Sequence, residues 1–426
     1  MSASSSGRRN DAGSDEVEEE TPDAKIERLA TEIEELKASL IGVPELSDEW
    51  FRIKTDIKDR YVERLLLIEK KRCDGVVKEY FEENPHVLEA APECPVCLEK
   101  IWDDSVSMRY VCCGKQICKK CDFQGGDAFE SSSPLCRGEA PESDDDIMSI
   151  TKETADAGIA WAQADMGKYY LYGSDGVPED MEKGLPLLNE AAKKGSSRAK
   201  ELLGDYYYDI DNFEEARRWY EAAAAEGDMI SLLPLGMMMQ LGQAFDQNEE
   251  TRAEAFRLFT ISAMLTQDSF HWPALELSDF FQDSPPIMLH YLRPALEEGK
   301  ATVSAMESYA QGLIQMAIKY YGIESIMEPG YCPVPETLFW FRRGSSKAEL
   351  AANLPLVQLE HKIRKKCAHC EADLPEGKPS CCVECKAAYY CNRDCQVAHW
   401  KAGHKKDCVK KLKKKLKAAG TLLEEK

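Results

Sequence analysis

The residues of this chain best suited to chemistry are its cysteines. Of 17 in 426 residues, seven fall within 94–136, eight within 367–408, and only Cys73 and Cys332 lie elsewhere. The later group reads Cys367-x2-Cys370, Cys382-x2-Cys385, Cys391-x3-Cys395 and His404-x3-Cys408. A Cys-x2-Cys turn points two thiolates at one ion, and helical i, i+4 spacing puts two side chains on one face. One pair supplies half a tetrahedron, so every pair needs another from elsewhere in the chain. The earlier group opens with Cys94-Pro95-Val96-Cys97, continues through Cys112-Cys113-Gly114 to Cys118-x2-Cys121, and closes with Ser133-Pro134-Leu135-Cys136-Arg137. Residues 1–20 are Ser- and Glu-rich without an apolar export segment, which disfavours a disulfide framework and leaves metal binding as the expectation.

Over essentially all of 367–408 the ligand order resembles a MYND finger, including Tyr390 before Cys391, Gln396 after Cys395, and Trp400. The resemblance implies two zinc ions, one on Cys367, Cys370, Cys391 and Cys395, the other on Cys382, Cys385, His404 and Cys408. Cys381 is surplus, because Cys382 restores the two-residue spacing. His369 and His399 are expected to face solvent as neighbours of the ligands. So few apolar residues in a short module cannot fold it alone, and metal would supply on the order of 10 kcal/mol per structural site. Both sites are closed, with no position for an activated water, which disfavours zinc hydrolysis. MYND fingers generally bind short proline-containing peptides. Gln396 and Trp400 are the groove candidates, Trp400 serving equally well as core. Some such fingers occur in lysine methyltransferases, but no SET-like sequence accompanies this one.

The earlier group resembles a RING finger, in which the first and third ligand pairs share one zinc and the second and fourth share another. The resemblance implies a complete first site of Cys94, Cys97, Cys118 and Cys121. The second site departs from the pattern: Ser133 stands at a ligand position, and Cys112 and Cys113 are adjacent. Neighbouring side chains on a strand point to opposite faces, so both reach one ion only across a turn, which Gly114 could provide. Cys112, Cys113 and Cys136 with a water, or with Asp127 recruited, are the ways to complete it. RING fingers commonly serve ubiquitin ligases, which hold a charged ubiquitin-conjugating enzyme in a reactive orientation. Val96 takes the apolar contact position, Pro134 the second-loop contact, and Arg137 the cationic position that pins ubiquitin.

The elements carrying these modules read as mostly α-helical. Residues 1–23 are acidic and expected to be disordered. Within 24–90, Ile26, Leu29, Ile33, Leu36 and Leu40 follow an a/d rhythm, suiting either a short coiled coil or an amphipathic helix docked on its own protein. Trp50, Ile53, Ile57, Tyr61 and Leu65 mark a second helix, closed off by Pro85 and Pro92. The RING-like module covers 91–140 and a Ser/Gly/Asp-rich linker covers 141–150. Residues 151–360 are rich in Ala, Leu and aromatics and carry a repeat: Ala191-Ala192-x-x-Gly195 recurs as Ala223-Ala224-x-x-Gly227, 32 residues on. Ala155 before Gly158 and Ala295 before Gly299 echo it. The glycines end helices where φ must be positive.

This segment resembles the Sel-one-like repeats, relatives of the tetratricopeptide type that stack as helix pairs into a solenoid. The likeness is good over 155–227, drifts over 228–290, and returns at Phe339–Gly344. The MYND-like module covers 365–408 and a basic helical tail 409–426, its lysine run expected to continue a helix from His404.

The chain is acidic overall, with a formal net charge of −22, although 361–418 carries 16 Lys/Arg against 6 Asp/Glu. That balance disfavours coating of DNA or anionic membranes. No apolar run reaches the roughly 20 residues that span a bilayer. No phosphate-binding loop, HExxH or GxSxG occurs, and His86, His271, His290 and His361 are scattered. The sequence thus predicts a helical solenoid flanked by two small zinc modules, resembling the multidomain RING-like, Sel-one-like and MYND proteins of diatom-type algae. The expected function is an intracellular protein-interaction adaptor, cytoplasmic or nuclear, holding two zinc ions in the MYND-like finger and one or two in the RING-like module. The alternative is a ubiquitin ligase whose repeats and MYND-like finger select substrate.

Overall fold

Thr21 and Pro22 begin the first ordered element. The threonine hydroxyl accepts from the Ala24 amide at 3.3 Å, and proline at the first helical position forfeits no hydrogen bond, so helix α1 runs Pro22–Ser39. The computed structural model describes residues 20–102, 108–125, 132–138, 141, 143–174, 176–266, 272–323, 327–344, 361, 363–374 and 379–418. Asp127, His271 and most of the acidic tail lie outside them. The chain divides into two compact units, Met1–Lys71 and Arg72–Lys426, and helix α2 (Asp48–Glu83) supplies residues to both. In the first unit α1 packs antiparallel on α2. Ile33 is buried against Ile53 and Ile57, while Lys71–Asp23, Arg60–Glu32 and Lys25–Glu63 ion pairs flank the seam. The a/d rhythm is therefore satisfied within the chain.

In the second unit, Pro85 starts a short helix α3 (Pro85–Ala90). The first cysteine module follows, with a two-stranded antiparallel hairpin of β1 (Met108–Tyr110) and β2 (Lys115–Ile117) in register Met108↔Ile117, then α4 (Lys119–Gly125). Residues 144–150, expected as linker, instead begin α5 (Asp144–Asp156). Ser143 caps it by accepting from the Asp146 amide at 3.2 Å, and Asp144, Asp145 and Asp146 lie in the first turn, where carboxylates oppose the exposed N–H groups.

Helix pairs fill the rest: α6 (Ala160–Tyr172) with α7 (Met181–Lys193), α8 (Ser197–Asp209) with α9 (Phe213–Ala224), and α10 (Leu232–Leu241) with α11 (Glu249–Leu265). Then come α12 (Trp272–Ser278), α13 (Pro285–Glu297), α14 (Val303–Tyr321) and α15 (Val334–Gly344). The Ala/Gly signature marks helix ends. After Gly158, Gly195, Gly227 and Gly299, the next amide folds back to the carbonyl of Thr154, Ala191, Ala223 and Ala295 at 3.2, 3.1, 3.2 and 2.9 Å. A second repeat sets the approach of each pair. Gly167 lies against Leu188, Gly204 against Tyr220 and Gly236 against Phe259, so a Cβ on any of the three would sit within 2.7 Å of the facing side chain. Residues 232–265, inside the stretch where the sequence likeness drifts, thus continue the same packing, with Ser262-Ala263-x-x-Thr266 where the Ala-Ala-x-x-Gly signature would fall.

The last helices do not end in solvent. Trp340, 1% exposed, shares one continuous core with Leu292, Tyr309, Ile363, Cys382, Tyr390, Cys408 and Leu416. The second cysteine module therefore closes the C-terminal end of the repeats. Arg342 donates to the Cys385 and Lys386 carbonyls at 3.1 and 3.3 Å, and the Gly330 amide donates to Asp407 at 2.6 Å.

Close approach at Gly204 yields a paired prediction. Tyr220 is buried and its hydroxyl is fixed to Asp205 at 2.8 Å, so Gly204→Ala should lower stability by about 1–3 kcal/mol. Gly75, in α2 with nothing near its Cβ position, should gain about 0.5–1 kcal/mol as Gly75→Ala. Thermal unfolding followed by circular dichroism reads both signs.

Candidate metal centres

Each metal-ligand cluster is built on the same local backbone. At Cys94, Ser133, Cys367 and Cys382 the carbonyl accepts from the amide four residues on, at 2.8, 2.9, 3.0 and 2.8 Å. The residue donating that amide has positive φ in every case: Leu98 (63°), Arg137 (58°), Glu371 (58°) and Lys386 (51°). Four turns therefore curl their first and fourth side chains to one side, at the cost of a left-handed non-glycine residue each. Spacing alone did not reveal this regularity, although a fixed offset from each first ligand position marks it. Ser133-x2-Cys136 adopts it as fully as the three Cys-x2-Cys turns.

The ligand atoms converge in four groups, combined as the MYND and RING resemblances imply. Within each of four groups they lie within 4.8 Å of one another: Cys94, Cys97, Cys118 and Cys121; Cys367, Cys370, Cys391 and Cys395; Cys382, Cys385, His404 and Cys408; and Cys112, Cys113 and Cys136. Four sulfurs about 2.3 Å from a zinc ion stand about 3.8 Å apart along the tetrahedron's edges. The observed contacts are Cys97–Cys118 3.7 Å, Cys370–Cys391 3.7 Å, Cys391–Cys395 3.4 Å and Cys382–Cys408 3.8 Å, with Cys385 Sγ to His404 Nε2 at 3.5 Å. These are too long for disulfides and match tetrahedral edges. The donor sets fit zinc: soft thiolates and one imidazole, four to a site in three of the groups.

Metal binding needs the thiolate, and the turns favour it. Burial opposes ionisation of Cys94, but the amides of Cys118, Cys97 and Val96 bring its thiol down to about 6. At Cys367 burial is again outweighed, by the amides of Cys370, His369 and Cys391, and the thiol falls to about 6. In the Cys382 group all four ligands are buried. His404 is stacked on His399 with ring centroids 4.8 Å apart, and Tyr390 Oη lies 3.0 Å from His399 Nδ1.

His399 is accordingly buried, contrary to the solvent-facing expectation, because α16 (Arg393–His399) turns that face onto the strand pair β3 (Ser380–Cys381) and β4 (Tyr389–Tyr390). His369 is exposed as expected. Gln396 and Trp400 are half-buried and one helical turn apart, with Val397 exposed between them. Trp400 also packs on the shared core and edge-on to His404.

The lysine run does not continue the helix from His404. The backbone breaks at Gly403, which lies against Pro329 and Gly330, and turns extended at Cys408 before α17 (Lys410–Ala418) begins. Leu416 is buried there and the lysines at 410, 411, 414, 415 and 417 are exposed.

In the remaining group, Gly114 at φ 68° closes the turn that lets adjacent Cys112 and Cys113 face one point. Cys112 and Cys136 sulfurs are 3.4 Å apart, and Ser133 Oγ lies 3.8 Å from Cys113 Sγ. Val96 is 46% exposed, Arg137 is exposed and Pro134 is half-buried. Trp102 and Gly114 tie this module to the repeats. The Met229 amide donates to the Trp102 carbonyl at 2.9 Å, and Gly114 abuts the Trp161 indole.

Comparison with known proteins agrees with part of this picture. Residues 367–408 match the MYND finger family. An 84-residue stretch is 31% identical to chitin synthase regulatory factor 4 of Schizosaccharomyces pombe, covering 20% of this chain and 13% of that protein. The chain thus spans about an eighth of that relative's length. Among solved structures, a Sel1 repeat protein from Oxalobacter formigenes is 18% identical, with TM-score 0.36 over 47% of this chain and 76% of its own. A protective antigen of uropathogenic Escherichia coli displaying an SLR fold is 16% identical, with TM-score 0.41 over 81% of this chain and 69% of its own. Those superpositions are weak, and the helix-pair assignment rests on the helices and capping bonds described above. No helix of the described residues is long and apolar enough to cross a membrane.

Two outcomes follow from the ligand geometry. Metal analysis of purified Cys382→Ser should find one zinc ion fewer than wild type, whereas Cys381→Ser should lose none. Because Trp340 and Cys382 share one core, stripping zinc with a strong chelator should speed amide hydrogen exchange in 334–344 as well as in the finger, leaving 22–39 unchanged.

Proposed function

We propose that this chain is a zinc-dependent protein-interaction adaptor, its helix pairs serving as scaffold and its C-terminal finger as a peptide-docking head. The single observation supporting this most is the fusion of two four-donor sites with the end of the repeats. The zinc ions of the three four-donor sites act as structural rivets: every donor there is a protein side chain, so those sites leave no position for an activated water. Two ions belong to the finger, one to Cys94, Cys97, Cys118 and Cys121, and a fourth to Cys112, Cys113 and Cys136. Gln396 and Trp400, an i, i+4 pair beside exposed Val397, form the face that takes a proline-containing peptide. In a titration of fluorescent proline-rich peptides, Gln396→Ala should weaken binding severalfold at unchanged zinc content. Equal affinity of wild type and variant would remove these residues from the docking face.

A second reading, a ubiquitin ligase, is favoured by the exposed apolar pair Val96 and Leu98 (46% and 73% exposed) on the first cysteine turn. Such a pair suits the docking of a ubiquitin-conjugating enzyme, and the likeness to RING fingers would give Pro134 the second contact and Arg137 the hold on ubiquitin. Polyubiquitin built on the chain itself with one of a panel of conjugating enzymes, and lost in Val96→Ala and Arg137→Ala, would establish it. Silence across the panel with a full zinc complement leaves the adaptor alone.

A further inference from the structure

The group formed by Cys112, Cys113 and Cys136 differs from the other three in one respect. Its fourth corner holds an oxygen, Ser133 Oγ, on a turn whose backbone matches the Cys-x2-Cys turns bond for bond. That oxygen is already engaged. It accepts from the amides of Leu135 and Cys136 at 3.3 and 3.4 Å, which uses both lone pairs and leaves its proton to donate toward sulfur. Ser133 is also buried, at 1% exposure. A hydroxyl so placed positions the thiolates and makes a poor ligand, so an ion here has three sulfurs and completes its shell from solvent. Cys112 and Cys136 are both exposed. Their sulfurs are 3.4 Å apart, in contact but short of the roughly 2.05 Å of an S–S bond. Cys370 and Cys391 are exposed as well, but their ion is held by four thiolates.

We propose that Cys112, Cys113 and Cys136 form an oxidant-releasable zinc site, in which hydrogen peroxide joins Cys112 to Cys136 and expels the ion while the other sites stay loaded. This rests on the zinc reading of that group given above. One thiolate attacks the peroxide, the O–O bond breaks, and the sulfur becomes a sulfenic acid. The second thiolate then displaces its hydroxyl as water and the S–S bond forms. Two electrons pass from the two sulfurs to the peroxide, which with two protons leaves as two waters, and Zn2+ departs with Cys113 as its one remaining thiolate.

The test uses the full-length, zinc-loaded protein. Metal analysis of Cys112→Ser first decides whether the group holds zinc: loss of one equivalent relative to wild type is expected, and no loss overturns the zinc reading itself. Hydrogen peroxide is then added with a colorimetric zinc indicator, and disulfides are mapped after alkylation. One equivalent should appear at least about tenfold faster than the rest, together with a Cys112–Cys136 linked peptide. Ser133→Cys, which supplies the missing sulfur on a backbone already shaped for it, should slow that fast phase about tenfold while keeping the zinc count. Release of all equivalents at one rate, a fast phase without the linked peptide, or a fast phase unaltered in Ser133→Cys would each overturn the proposal while leaving the zinc assignment intact.

Discussion

Both cysteine-rich modules depend on like-charged sulfurs being held closer than they would choose. Several thiolates within 4.8 Å of one another repel, and among the described residues the core beneath the first module is small, Ile101, Tyr110 and Ile117 with the cysteines themselves. The backbone lowers that cost by aiming amides at sulfur: Cys118 N to Cys94, Ala387 N to Cys385 and Gly138 N to Cys136 at 3.4–3.5 Å. A divalent cation supplies the balance. The left-handed residues after each turn carry the strain. Metal, amide bonds and strained backbone therefore stand or fall together.

The repeats solve a different problem, that of bringing helices close without a metal. Small residues at one position of each first helix let a large side chain of the second lie flat, Leu188, Tyr220 and Phe259 in turn. Capping does the rest: Asp180, Ser196, Asn212, Asn248 and Thr302 each accept an amide in the first turn of the helix they precede. Between these helices Arg198, Glu201 and Asp205 are half-buried and Tyr220 is buried. Burial raises the Asp205 carboxyl above its ordinary range even though Tyr220 donates to it.

Legibility in the sequence divided along physical lines. The individual ligand pairs were readable because a metal demands fixed donors at short separations, so Cys382 could be preferred to Cys381 on spacing. Which pairs share an ion came only from the likeness to MYND and RING fingers. Helix ends at Gly158, Gly195 and Gly227 were readable because few residues other than glycine adopt that conformation. What failed depended on neighbours distant in sequence. His399 was misplaced because its burial depends on where Tyr390 and His404 lie. The linker was overextended because Asp144, Asp145 and Asp146 look like solvation until Ser143 caps them. The repeat was lost over 228–290 because the Ala-Ala-x-x-Gly signature is replaced by Ser262-Ala263-x-x-Thr266 while Gly236 kept the register. The helix expected from His404 onward is interrupted at Cys408, where the backbone of this ligand turns extended after Asp407.

Trp340 and its neighbours give the C-terminal finger no freedom to swivel. A ligand seated on its Gln396–Trp400 face would be presented at a set bearing to helices α13 to α15 rather than on a tether. A partner touching both would meet its second contact as an intramolecular event, at an effective concentration fixed by geometry and not by linker length. Avidity in such an arrangement is won or lost on angle, so partners with the same short motif but a different flanking surface would be sorted without any change in the motif itself.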